Sequence, residues 1–149
     1  MPDVETVART DSGLASALRV SVARLNRRLR NTRDADAPVG IGGLSVLALL
    51  LREGEQTIGE LARAERVKPP SMTRTVACLE GGDLVTRRPH PTDGRQVVIA
   101  ISEAGEALIL ADRRRRDAWL ARCLRDLTPD ERSALRKAAP ILERLSHSS

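Results

Sequence analysis

"TIGELARAERVKPPSMTRTVACLEGG", residues 57–82, running directly into "DLVTRRPHPTDGRQVVIAIS", residues 83–102, decides the fold. Thr57 to Glu60 form a capping box: the Thr57 hydroxyl can accept from the Glu60 N–H while the Glu60 side chain reaches back. The helix it opens is short and ends near Glu65, and the chain turns at Arg66-Val67. Pro69 and Pro70 fit the first turn of the next helix, where their missing N–H groups would lack partners anyway. Gly81 and Gly82 close that helix. Met72, Val76 and Leu79 stand at i, i+4 and i+7 and so face the core. Ser71, Arg74, Thr75 and Cys78 lie away from that stripe. A helix pair of this kind buries one face of its second member and presents the other to a DNA major groove.

The hairpin that follows has an unusual tip. "DLVTRR" and "VVIAIS" read as strands, with Val97, Ile99 and Ile101 sharing one face. A hairpin built only to fold would turn in two residues. Here "RRPHPTDGRQ" is longer, is stiffened by Pro89 and Pro91, and carries Arg87, Arg88 and Arg95. From Arg63 to Arg95, seven basic residues face four acidic ones: Arg63, Arg66, Lys68, Arg74, Arg87, Arg88 and Arg95 against Glu65, Glu80, Asp83 and Asp93. Helix pair plus basic hairpin is the order of a winged helix-turn-helix, here over about 44–102.

The flanks are helical. Leu14, Leu18, Val22, Leu25 and Leu29 recur at helical spacing over 13–32, with arginines (Arg19, Arg24, Arg27, Arg28 and Arg30) on the solvated side. "DADAPVGIGG" (34–43) breaks the chain, and the buried-helix run "LSVLALLL" carries a helix from Leu44 to about Arg52. Ser102 can cap a long helix to about Arg125, with Ala104, Ala107, Leu108 and Ala111 on its early apolar stripe. The arginine run "RRRR" at 113–116 reads as solvated surface. "LTPDE" repeats the start signal with Thr128 as cap and Glu131 closing the box. The last helix contains Pro140, which removes one hydrogen bond or kinks it. The expected fold class is mainly α with a small β-hairpin (α+β): one 149-residue chain with a winged core, flanked by helical regions at 13–32 and 103–147.

The net charge of +5 and the near absence of lysine, Lys68 and Lys137 being the two, suit an anionic partner read by arginine forks. One Trp and no Phe or Tyr argue against a single-strand binder, which stacks bases on aromatic rings. No apolar run approaches a membrane span, and the chain is read as cytoplasmic. Cys78, Cys123, His90 and His147 have no metal-ligand spacing. "GIGG" at 40–43 lacks the context of a dinucleotide fingerprint, and no nucleophile–base pair stands out. The chain is therefore read as a non-enzyme with no cofactor. Both cysteines are expected to be small buried residues.

Residues 57–105, and most specifically Asp93-x-Arg95 in the hairpin before the "SEAG" helix start, resemble the MarR family of transcriptional regulators. The resemblance implies a homodimer joined through its outer helices. Each dimer would bind a pseudo-palindromic double-stranded operator as a sequence-specific regulator, usually a ligand-responsive repressor. It implies that Arg95 enters the minor groove while Asp93 pairs with that arginine and directs it. By helix phase Ser71, Arg74 and Thr75 face the major groove, with Arg74 reaching a guanine or a phosphate, and Lys68 joins them at the helix start, where a phosphate is favoured. Arg87 and Arg88 would meet phosphates, and His90 reads as another phosphate contact or an exposed residue. A small aromatic or anionic effector is implied; Trp119, Arg27 and Arg30 are candidates for its pocket that no spacing singles out, and Trp119 reads rather as a core or dimer contact. An architectural protein of low sequence preference is the alternative. Lys68 departs from the family pattern, since a small hydroxyl residue is common there, and leaves the recognition helix without its usual cap.

Overall fold

Aliphatic residues from four helices and a small sheet meet in one core. The computed structural model describes residues 3–32 and 37–148, so Asp34, Ala35 and Asp36 of the expected break lie outside the described residues. The order is α1 (Val4–Val7), α2 (Asp11–Asn31), α3 (Ile41–Glu53), β1 (Gln56–Thr57), α4 (Ile58–Ala64) and α5 (Pro69–Gly81). It continues with β2 (Val85–Pro89), β3 (Val97–Ile101), α6 (Glu103–Arg125) and α7 (Pro129–Ser146). Leu47 and Leu50 of α3, Leu61 of α4, Met72, Val76 and Leu79 of α5, Ile99 of β3 and Ile109 of α6 are almost fully buried. The stripe expected on α5 is thus the one that faces inward.

The sheet is three-stranded and antiparallel, in the order β1-β3-β2. Its hairpin was legible, but the two-residue β1 was not. Gln56 and Thr57 pair with Ile99 and Val98, so the residue that caps α4 also belongs to the sheet. The box at Thr57 and Glu60 is formed in both directions, at 3.2 and 2.7 Å. A second box closes at Thr128 and Glu131.

Three local expectations need correction. The second long helix begins at Ile41, not Leu44, and runs through Gly42 and Gly43. A Cβ on Gly43 would stand 3.2 Å from a Leu79 methyl and 2.0 Å from one of Val39, so this glycine lets α3 approach α5. On α6 the inward face is Gly105, Ile109 and Asp112, while Ala104 and Ala107 are exposed. Leu108 of the expected stripe does pack against the core, half-buried beside Ile109. Finally, Gly82 does not take the left-handed turn after α5: its φ is −92°, and Asp83 takes φ 56° instead.

Both helices of the helix-turn-helix end in the same way. After α5 the Leu84 N–H reaches the Leu79 carbonyl and the Asp83 N–H that of Glu80; after α4, Val67 reaches Ala62 and Arg66 reaches Arg63. This is the Schellman pattern, which places a left-handed residue, usually glycine, just beyond the helix. Arg66 (φ 54°) and Asp83 fill that place here. Ser102 then locks the next junction, its hydroxyl donating to the Asp83 carbonyl at 2.6 Å and accepting from the Gly105 N–H at 3.0 Å.

Candidate nucleic-acid interface

Burial of Met72, Val76 and Leu79 fixes which side of α5 faces out. Lys68, Ser71 and Arg74 are exposed on that side, Thr75 is half-buried beside them, and Cys78 continues the exposed face one turn on. Lys68 is the N-cap residue and makes no side-chain cap bond; Pro69 and Pro70 have no N–H, and the Ser71 and Met72 N–H groups reach the Lys68 carbonyl. The Thr75 hydroxyl is not the free donor that the sequence suggests. It donates to the Ser71 carbonyl at 3.1 Å, a common use of threonine within a helix.

Between the start of α5 and the hairpin lies a cleft of about 550 Å³, lined by residues that include Thr57, Gly59, Arg63, Pro69, Arg95 and Gln96. It brings Arg95 to the same side of the molecule as the start of α5. Arg63 belongs to it as well, although sequence reasoning counted that residue only as charge. Its place at the last turn of a helix that caps back onto the sheet was the available signal.

The hairpin tip is closed by its own hydrogen bonds. The Asp93 carboxylate accepts from the Arg95 backbone N–H at 3.1 Å and from the Gln96 side-chain amide at 3.2 Å. The expected pairing of Asp93 with the Arg95 guanidinium is therefore absent among the described residues: Asp93 holds the backbone that carries Arg95. His90 accepts from the Thr92 and Asp93 N–H groups through Nδ1.

Arg87 and Arg88 are also engaged. Adjacent residues in a strand point to opposite faces. Arg87 pairs with Glu80 at the end of α5, at 2.9 Å, while Arg88 pairs with Glu55 before β1. The Arg88 hydrogen bond holds the Glu55 carboxyl below its ordinary value. These two pairs tie the first wing strand to the recognition helix on one side and to the α3–β1 connection on the other.

The second region with buried charge lies between α2, α3 and α6. Asp112 is only 5% exposed, paired with Arg116 and, at 3.8 Å, with Arg115. The arginine run is thus not wholly solvated surface, because its last member folds back onto a carboxylate under α3. A cavity of about 190 Å³ adjoins this pair and is lined also by Asn26, Arg30, Leu44 and Ser45. Arg30 reaches it. Arg27 and Trp119 do not line it; Trp119 is half-buried, with the Arg28 guanidinium 5.8 Å from its ring centroid.

Both cysteines are exposed, against expectation. Cys78 follows the exposed side of α5, and Cys123 sits where α6 has outrun the core. Among the described residues no group of three or more His, Cys, Asp and Glu side chains is placed to hold a metal, and no helix is long and apolar enough to cross a membrane.

Comparison with known proteins bears on this geometry directly. Residues 42–97 match the model of the MarR family. A Mycobacterium tuberculosis protein named as an HTH-type transcriptional regulator is 48% identical over 133 residues, covering 89% of this chain and 92% of its own. The chain belongs to the MarR family. A Pseudomonas aeruginosa protein assigned as a transcriptional regulator has the same fold in its crystal structure. It shows a TM-score of 0.83 and 34% identity, with 93% of this chain and 96% of that one covered. A MarR family protein from Bacillus stearothermophilus gives a TM-score of 0.74 at 26% identity over 99% of this chain and all of its own. This MarR-family chain is accordingly a DNA-binding transcriptional regulator and not an enzyme. The winged helix-turn-helix is formed by α3 to β3.

Proposed function

We propose that this MarR-family regulator binds a pseudo-palindromic operator as a homodimer and represses transcription until a small effector releases it. The observation that carries the reading is the cleft that joins the exposed start of α5 to the wing, with Arg63 and Arg95 in its walls. Lys68, Ser71, Arg74 and Thr75 then meet the major groove, and the tip held by Asp93 and His90 delivers Arg95 to the minor groove. There an arginine reads groove width and A·T content rather than single bases. Arg87 and Arg88 reach phosphates only by leaving Glu80 and Glu55, so they contribute less than Arg95.

Homodimerisation follows from what the single chain leaves uncovered. Leu14, Leu18, Val22 and Leu25 of α2, and Leu135, Ile141, Leu142 and Leu145 of α7, are exposed. The cavity beside Arg30 is the effector site in this reading, since the Arg30 guanidinium suits an aromatic carboxylate, Arg116 being already paired with Asp112, and the site touches both outer and winged elements.

Fluorescence anisotropy with the duplex upstream of the protein's own gene tests the function, with a scrambled duplex as competitor near physiological salt. A specific regulator prefers its site by roughly 10³-fold or more. Equal binding to both duplexes refutes the proposed operator and favours an architectural protein. Arg95→Ala is expected to weaken operator binding and flatten any A·T preference beside each half-site; its salt slope should fall by about 0.9 if one phosphate contact goes with it. Unchanged affinity for every sequence would remove Arg95 from the interface. Benzoate, the simplest aromatic carboxylate, serves as the first effector probe.

A further inference from the structure

The wing tip raises a question of protonation. Its short loop must satisfy several backbone N–H groups without regular pairing. The His90 N–H reaches the Gln96 carbonyl and the Gln96 N–H the Asp93 carbonyl, at 3.1 and 3.0 Å. Asp93 takes the Arg95 N–H. Of the other loop N–H groups, those of Thr92 and Asp93 both donate to one atom, His90 Nδ1, at 3.2 and 3.1 Å. The Thr92 hydroxyl lies 3.4 Å from the same nitrogen. Pro91 between them has no N–H to place.

A ring nitrogen that receives two N–H donors uses its lone pair for them and carries no proton of its own. In a neutral imidazole the proton then resides on the other nitrogen. We propose that His90 is a positioning residue for DNA reading: it acts as the neutral Nε2–H tautomer, whose Nδ1 closes the tip turn that aims Arg95. The inference rests on the wing-binding role proposed above for Arg95. It assigns His90 a different task from that of a charged phosphate contact. The ring supplies an acceptor to the loop and keeps Nε2–H as its only donor for an anion. A loop closed before binding loses less freedom when it meets DNA.

Bond counting provides the test. The Oδ1 of Asn stands two bonds from Cβ, as does Nδ1 of His, whereas the Oε1 of Gln stands three bonds away, as does Nε2. H90N should therefore keep the tip closed, while H90Q and H90A should open it. With the full chain and its operator duplex, H90N is expected to bind within about twofold of the parent, and H90Q and H90A to lose about fivefold, the scale of one lost cap. Opening the tip removes the same bonds from the free protein, so H90Q and H90A should melt no more than about 2–4 °C below H90N, the scale of about 1 kcal/mol in a chain of this size. H90N as weak as H90Q, or a fall in unfolding temperature well beyond that scale, would overturn the positioning role.

A second arm needs no DNA, so failure of the proposed function and failure of this inference remain distinguishable. Imidazole nitrogen–carbon correlation spectra of the free protein should show Nε2 protonated and Nδ1 bare. The Thr92 and Asp93 amide signals should move in H90Q and stay in H90N. A protonated Nδ1 refutes the proposal whatever the DNA result.

Discussion

Asp83 and Arg66 hold left-handed backbone where most helices place glycine, since a Cβ there crowds the following carbonyl. Asp tolerates the conformation better than arginine does. Replacing either with glycine relieves that crowding but frees the unfolded chain, so the two effects partly offset each other. The net expectation is a gain of about 0.5–1 kcal/mol for Arg66→Gly and less for Asp83→Gly, measured by urea unfolding. The Asp83 carbonyl, which receives the Ser102 hydroxyl, survives the exchange. Destabilisation in both variants would show that the side chains themselves matter at these turns.

Glu60 provides a pH prediction at the same scale. The Thr57 backbone N–H holds its carboxyl below the ordinary value of 4.5. Folded Glu60 therefore binds a proton less readily than unfolded Glu60, and the stabilisation is complete above the unfolded value. It is lost as pH falls through the folded value. Glu60→Gln, which can still close the box, should remove this part of the acid dependence. Parallel stability–pH curves for the parent and Glu60→Gln below the ordinary carboxylate value would count against the assignment.

At the scale of elements, the wing is fixed by junctions rather than by the hairpin alone. A Cβ on Gly105 would meet the Leu84 carbonyl oxygen at 2.1 Å and Ile101 at 3.0 Å. The start of α6 thus packs against the chain entering β2 at a distance that only glycine permits. Gly105→Ala should cost roughly 1–3 kcal/mol, as overpacking does, and weaken DNA binding by shifting the wing. Gly42→Ala, with open space at its Cβ position, is the control and should leave stability unchanged or raise it by the helix propensity of about 1 kcal/mol. Paired thermal melts separate the two.

For the whole molecule, α2 and α7 bury no residue in the single chain. Leu18 and Leu142 are 36% and 40% exposed there. In the proposed homodimer, Leu18→Glu would place a charge against an apolar partner face. Sedimentation should show the parent as a dimer and this variant shifted toward monomer, with operator affinity lost because two half-sites about 34–36 Å apart need two linked wings. A parent that sediments as a monomer at micromolar concentration sinks the dimer reading.

The helices, their caps and the outward side of α5 were legible in the sequence because they depend on neighbours a few residues apart. Thr57–Glu60 and Thr128–Glu131 are local hydrogen-bond pairs, and Met72, Val76 and Leu79 are one helical stripe. The Asp93-x-Arg95 pair marked the wing and the family for the same reason. What the tertiary structure alone decided involves atoms distant in sequence or invisible to pattern. Examples are the pairing of β1 with β3, Glu55 taking Arg88 across 33 residues, Asp112 buried beneath α3, and Gly43 admitting Leu79. Even within the tip, residue types did not reveal that Asp93 would hold backbone and that His90 would accept two N–H groups. Periodicity and capping report short-range geometry, whereas charge partners and close approaches exist only after packing has chosen which surfaces meet.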